Sequence, residues 1–205
     1  MRKILICNVT MREDLVPLVY QSENPSLIMS KRAVTYPVLS CLKSLISPSD
    51  SIKIVLISKC DPNGNYLKNI EQFKKEFLEQ CGKRSDDSEY KILDVEFDEE
   101  KQSTAQILSA IVDECEDGAE IISDITYGTK TLPVVLLAAL SFAVKHLNCK
   151  VEHVFYGQVY FQNNIPTCPK LCDLSYLIYL NSLLYTLQCD SSYKARQTLK
   201  MLLKI

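Results

Sequence analysis

Glu120-Ile121-Ile122-Ser123-Asp124-Ile125-Thr126-Tyr127-Gly128-Thr129-Lys130-Thr131-Leu132-Pro133 contains the decisive transition of the chain. A short β-branched apolar run enters a small polar turn and then passes directly into an apolar helical stretch. The run does not alternate in polarity, so it reads as a strand buried on both faces. Pro133 suits the first turn of a helix, where its missing N–H costs nothing. The turn then offers unpaired backbone N–H groups at the positive end of a helix dipole, which is an anion site. Gly128 allows close backbone approach. Thr126, Thr129 and Thr131 add hydroxyl donors, and Lys130 adds a mobile positive charge. The spacing matches neither the G-x-x-x-x-G-K-[ST] phosphate loop nor the G-x-G-x-x-G dinucleotide turn. An ordinary strand–helix turn with a solvated lysine is the competing reading of these residues.

Working outward, four further runs have the same buried-strand character: residues 3–9, 52–58, 90–97 and 150–156. Helical stretches are expected between the strands at 31–46, 65–81, 103–115 and 131–147, with Asn65 and Ser103 as N-caps. This alternation predicts an α/β fold, a Rossmann-like, mostly parallel sheet flanked by helices. Residues 157–161 read either as a hairpin return or as more of the fifth strand. Asn163-Asn164-Ile165-Pro166 breaks the pattern, so residues 1–165 form the expected Rossmann-like unit and 166–205 a helical extension. In that extension Leu174, Leu177, Ile178, Leu180, Leu184 and Leu187 form a stripe, read as packing on the domain's own core or as a dimer or inter-domain contact. Asp190 and Ser191 offer caps for a last helix. Its apolar finish, Leu202-Leu203-Lys204-Ile205, leads to the expectation of a trimmed chain or a docking partner. Residues 82–89 read as an exposed loop.

Composition sets the bounds. The chain has 205 residues, 47% hydrophobic and 23% charged, with a net charge of −2. That is enough for one sizeable core. The charge does not fit a non-specific nucleic-acid coat, so an anionic ligand needs local donors. Nine cysteines are read as free thiols in a reducing cytoplasm, since Cys7, Cys41, Cys60, Cys115 and Cys149 fall in or beside apolar segments. The opening apolar run is too short for a secretory signal. Cys168 and Cys172 lack the second pair a zinc site needs. No metal or cofactor is expected, and no run reaches the ~20 apolar residues of a spanning helix.

The exit of the first strand, Asn8-Val9-Thr10-Met11-Arg12, is polar. If the first and fourth strands are neighbours, Asn8, Thr10 and Arg12 share a rim with Thr129 and Lys130, where open α/β sheets bind ligands. A solvated loop charge is the competing reading of Arg12. His146 and His153 are read as structural, because neither lies at a strand's carboxyl end. The acidic run 96–100 is read as a solvated strand exit, and Asp124 either as a ligand contact or as a cap of its own turn.

Asp-x-Thr-x-Gly-Thr-Lys-x-Leu-Pro at 124–133 resembles the signature turn of the CARF domains, the CRISPR-associated Rossmann-fold sensors. Lys31-Arg32-Ala33-Val34-Thr35-Tyr36-Pro37, Val154-Phe155-Tyr156-Gly157 and Cys172-Asp173-Leu174-Ser175 resemble further segments of that family, so the resemblance covers about residues 3–200. It implies a cytoplasmic homodimer that binds a cyclic oligoadenylate messenger of type III CRISPR antiviral defence across its two-fold axis. Cyclic tetra-adenylate is the first expectation and cyclic hexa-adenylate the second. Asn8, Val9, Thr10, Met11, Arg12, Asp124, Thr126, Tyr127, Gly128, Thr129, Lys130 and Thr131 would bind the ligand. The C-terminal helices would signal to an effector domain or partner protein. Neither DNA nor membrane is an expected partner. Two alternatives stand. One is a metal-independent ring nuclease in which Thr10 or Arg12 positions a ribose 2′-hydroxyl for attack on its own phosphate and Lys130 stabilises the developing charge. The other is a Rossmann-like mononucleotide binder.

Overall fold

In the computed structural model, which describes residues 1–59, 64–82, 88–96 and 100–203, the buried runs form one six-stranded sheet. The strands are β1 (Arg2–Asn8), β2 (Ser51–Lys59), β3 (Glu89–Val95), β4 (Glu120–Asp124), β5 (Lys150–Gln162) and β6 (Ile165–Asp173). Their order is β3-β2-β1-β4-β5-β6. The first five are parallel, and β6 returns antiparallel along β5. Strand side chains alternate between faces. Leu5, Cys7, Ile54, Leu56 and Ile122 therefore enter one apolar cluster, while Ile4, Ile6, Val55, Ile57 and Ile121 enter the other. Burial on both faces explains why these strands read as continuous apolar runs. β3 is an exception to the expected burial: at the edge of the sheet only its Leu93 is buried.

The helices are α1 (Leu42–Leu45), α2 (Asn65–Cys81), α3 (Lys101–Asp113), α4 (Leu132–His146), α5 (Tyr176–Thr186) and α6 (Ser192–Leu203). α2 presses Phe73 and Phe77, both fully buried, onto the first cluster. α3 and α4 cover the second with Ile107, Ile111, Leu136, Ala139 and Leu140.

Several expectations need correction. The helix expected at 31–46 is replaced by an extended segment, a 3-10 turn at Pro37–Ser40 and the four residues of α1. Tyr36 is extended at φ −97° and ψ 112°, the conformation a following proline imposes. The carboxylate of Glu76 accepts Thr35 N–H and Tyr36 N–H, so tertiary bonds replace helical ones there. The cap position before α2 is Gly64, in the left-handed region, and α3 begins before Ser103, at Lys101. The break expected at 165 is a hairpin turn: Asn163 and Asn164 take φ 50° and 63°, as the two central residues of a type I′ turn do. Residues 157–161 continue β5, and the sheet runs on to Asp173. Of the α5 stripe only Ile178 is buried, while Leu177 and Leu184 are each 40% exposed. Ser191 does cap α6, its Oγ accepting Lys194 N–H at 3.2 Å. Cys60, most of the loop at 82–89, residues 97–99 of the acidic run and Lys204-Ile205 lie outside the described residues.

The amino end of the sheet is laced by ion pairs. Lys3 bridges Glu120 at 2.7 Å and Glu152 at 2.6 Å, and Lys53 meets Glu114 at 2.9 Å. The carboxyl end is different in kind. No helix among the described residues is long and apolar enough to cross a membrane.

Candidate functional site

β1 and β4 are hydrogen-bonded neighbours, with Cys7 opposite Asp124 at their carboxyl ends. From β1 the chain leads toward β2, and from β4 toward β5, on opposite sides. This is the topological switch point, the place where open α/β sheets leave a crevice for ligands. The two polar exits therefore share one rim.

The turn after β4 is held from beneath. Asp124, 1% exposed, accepts Thr126 N–H at 2.8 Å and Val38 N–H at 3.0 Å. Desolvation pushes its carboxyl upward, against those two hydrogen bonds. Asp124 thus caps its own turn and ties it to the 3-10 turn; of its two sequence readings, the cap is the one the geometry shows. Asn8, also buried, donates from Nδ2 to Tyr127 O at 2.8 Å, and its Oδ1 has no hydrogen-bond partner among the described residues. Tyr127 turns its ring into the core. Its hydroxyl donates to Thr35 O at 2.7 Å, and the ring stands edge-on to Tyr36 at 5.6 Å. Gly128 has φ 105°, and a Cβ there would lie 2.8 Å from Leu132 Cδ2 and 3.4 Å from Asn8 Nδ2. Both the angle and the space demand glycine.

What the turn leaves open is its backbone. Among the described residues, the N–H groups of Tyr127 through Thr131 find no acceptor within the chain. α4 begins here with Thr131 at its cap position and no side-chain cap bond, and Pro133 in its first turn. Unpaired donors and the helix dipole coincide, so a bound anion would gain from both. The hydroxyls of Thr129 and Thr131 lie 2.9 Å apart beside them.

A cavity of about 630 Å³ opens over this rim. Thr10, Arg12, Thr126, Tyr127, Gly128 and Thr129 of the two strand exits are among its lining. Leu15, Val16 and Leu18 from the chain after β1 and Tyr156, Val159, Phe161 and Pro166 of the hairpin line it as well. Val9 and Met11 complete the β1 exit. Arg12 is the one cation among the lining residues and Asp14 the one acid. Of the residues singled out in the sequence, Asn8 and Asp124 are buried and outside the lining, and Lys130 and Thr131 lie outside it too. Lys130 is exposed. The remaining eight are brought together.

Other groups position the site and escape a sequence reading. Asn69 on α2 donates from Nδ2 to Thr10 O at 2.6 Å and to Arg12 O at 3.1 Å, fixing the first loop. Tyr36 returns its hydroxyl to Asn69 O at 3.0 Å. Asn69 and Glu76 are polar residues on the buried face of an amphipathic helix, seven positions apart, and that is the signal that marks them. Thr10 is 3% exposed, and its Oγ1 accepts Arg12 N–H at 3.2 Å. Gly157 of β5 lies against the Pro37 ring and donates its N–H to Thr126 Oγ1 at 2.8 Å. Neither histidine lines the cavity. His153 Nδ1 pairs with Asp173 at 2.7 Å and its ring stacks on Phe155, while His146 packs on Phe142. Among the described residues no group of three His, Cys, Asp or Glu is placed to hold a metal ion.

No protein-family model and no curated protein matches this chain.

Proposed function

We propose that the cavity binds a nucleotide through its phosphate, and that the ligand is a cyclic oligoadenylate sensed on behalf of an effector. The single observation that carries the reading is the run of unpaired N–H groups from Tyr127 to Thr131, at the uncapped start of α4 and at the switch point of the sheet. Phosphate diesters fit this donor set, which is backbone rather than lysine-rich. The resemblance of residues 124–133 to the CARF turn selects cyclic tetra-adenylate first and cyclic hexa-adenylate second. A two-fold pair of chains would present the donors twice to a symmetric ring. Binding would then bias the arrangement of the pair, with α5 and α6 as the route to an effector.

Thermal unfolding with cyclic tri-, tetra- and hexa-adenylate and with adenosine monophosphate tests the reading, in wild type and in Arg12→Ala. A ligand held only by the native state at a hundred times its Kd adds about 2.7 kcal/mol. For a chain of this size that is about 5–10 °C in Tm. One ring size should raise the Tm, and Arg12→Ala should reduce the rise. Intact nucleotide recovered afterwards supports a sensor, and linear fragments would add ring cleavage. A rise with adenosine monophosphate alone would leave a mononucleotide binder. No rise with any nucleotide would refute the proposal.

A further inference from the structure

The β5–β6 hairpin outruns the rest of the sheet. β4 pairs with β5 only as far as Asp124 opposite Phe155, whereas β5 continues to Gln162. The seven residues beyond that rung extend about 23 Å at ~3.3 Å per residue. Two-stranded ribbons are marginal by themselves, and this one leans on the cavity. Its inner side presents Val159, Phe161 and Pro166, with Phe161 directly opposite Pro166 in the ladder.

Phe161 is 62% exposed. Among the described residues no other aromatic ring packs on it. Single exposed apolar side chains are ordinary on a convex surface. This one instead lines a cavity that Tyr127, Gly128 and Thr129 of the donor turn also line. The lining holds one arginine and one aspartate, which suits a phosphate of low charge better than a polyphosphate. Apolar and aromatic lining in the same cavity as a phosphate site fits a planar base joined to a phosphate.

We infer that Phe161, backed by Pro166 and Val159, is the base-stacking wall of this site and sets its preference for phosphates that carry a nucleobase. The inference rests on the anion-site reading of the turn but not on the ligand being cyclic. Calorimetric titration tests it with three probes: ribose 5-phosphate, adenosine 5′-monophosphate and cyclic tetra-adenylate. The proteins are wild type, Phe161→Ala and Phe161→Tyr. Phe161→Ala should weaken whichever adenine-bearing probes bind wild type by at least about fivefold, the lower end of what one lost base–aromatic stack costs. It should leave ribose 5-phosphate unchanged, and Phe161→Tyr should retain wild-type affinity. The exposed ring makes little contact with the core, so the Tm of Phe161→Ala should match wild type. Equal losses on all three probes, or no loss on the adenine probes, would overturn the stacking wall while leaving the anion site intact. Binding of none of the three would overturn both.

Discussion

Gly157→Ala probes the joint on which the site rests. Gly157 is buried in β5, and a Cβ built there overlaps Pro37 Cγ outright, lies 2.8 Å from Pro37 Cβ and 3.3 Å from Thr126 Cγ2. The proline ring is rigid and cannot rotate aside. Either the 3-10 turn at Pro37–Ser40 or β5 must therefore move. Both movements strain bonds that shape the turn: Val38 N–H to Asp124 at 3.0 Å and Gly157 N–H to Thr126 Oγ1 at 2.8 Å. Overpacking of one methyl costs about 1–3 kcal/mol. At about 2–4 °C per kcal/mol for this chain length, the Tm should fall by roughly 2–12 °C. Thermal unfolding followed by circular dichroism measures it. The displaced turn should also blunt any nucleotide-induced rise in Tm by more than the loss of stability explains. A Tm within about 1 °C of wild type, with the nucleotide response intact, would refute the packing argument.

Asn69→Ala removes both bonds that hold the β1 exit and leaves Thr10 O without its buried donor. Unfolding in urea should show a loss of about 1–3 kcal/mol, and the loosened Arg12 loop should lower nucleotide affinity as well. The ion pairs at the amino end of the sheet predict acid sensitivity. Lys3 holds the Glu120 carboxyl below its ordinary value, and Lys53 and Lys91 do the same for Glu114 against its desolvation. A depressed folded-state value contributes stability that is present above the unfolded value, about 4.3 for glutamate, and is lost as pH falls through the lower one. Asp124, pushed upward by desolvation, acts with the opposite sign. Urea midpoints should therefore drop as pH falls below about 4.3, less steeply in Glu120→Gln than in wild type; equal slopes would contradict the assignment. Among the cysteines of the described residues, thiol labelling should reach exposed Cys168 first. Cys115, whose thiol burial pushes up to about 12, and Cys7 should label only on unfolding, as mass spectrometry of timed alkylation would show.

The sequence patterns that proved legible were those set by local chemistry. Continuous β-branched runs located the five parallel strands to within a few residues, apart from the long continuation of β5. The strand–turn–helix reading of residues 120–133 placed β4, α4 and the open N–H groups between them. What stayed hidden depends on contacts between distant residues. Residues 31–46 look helical, but Val34 through Leu42 are all buried, and Glu76, some forty residues on, takes the N–H groups that a helix would have used. β6 contains Pro166, Pro169 and a positive-φ Cys168, all signs against a strand interior. At the edge of a sheet they are tolerated. Asn163-Asn164 was legible as punctuation, yet only the pairing of Gln162 with Ile165 makes it a hairpin turn. Of the site, the turn and the β1 exit could be read from local residues. Asn69 and Phe161 reach it only through the packing of α2 and the length of the hairpin.

The most direct test of the central claim is an amide proton–nitrogen correlation spectrum of the chain titrated with cyclic tetra-adenylate. Bound phosphate should shift the resonances of Gly128, Thr129 and their neighbours from Tyr127 to Thr131, because those N–H groups gain the acceptor they lack. Residues of the distant ion-paired end, such as Lys3 and Glu120, should stay in place. Binding that leaves residues 127–131 unmoved, or that shifts another surface instead, would contradict the account.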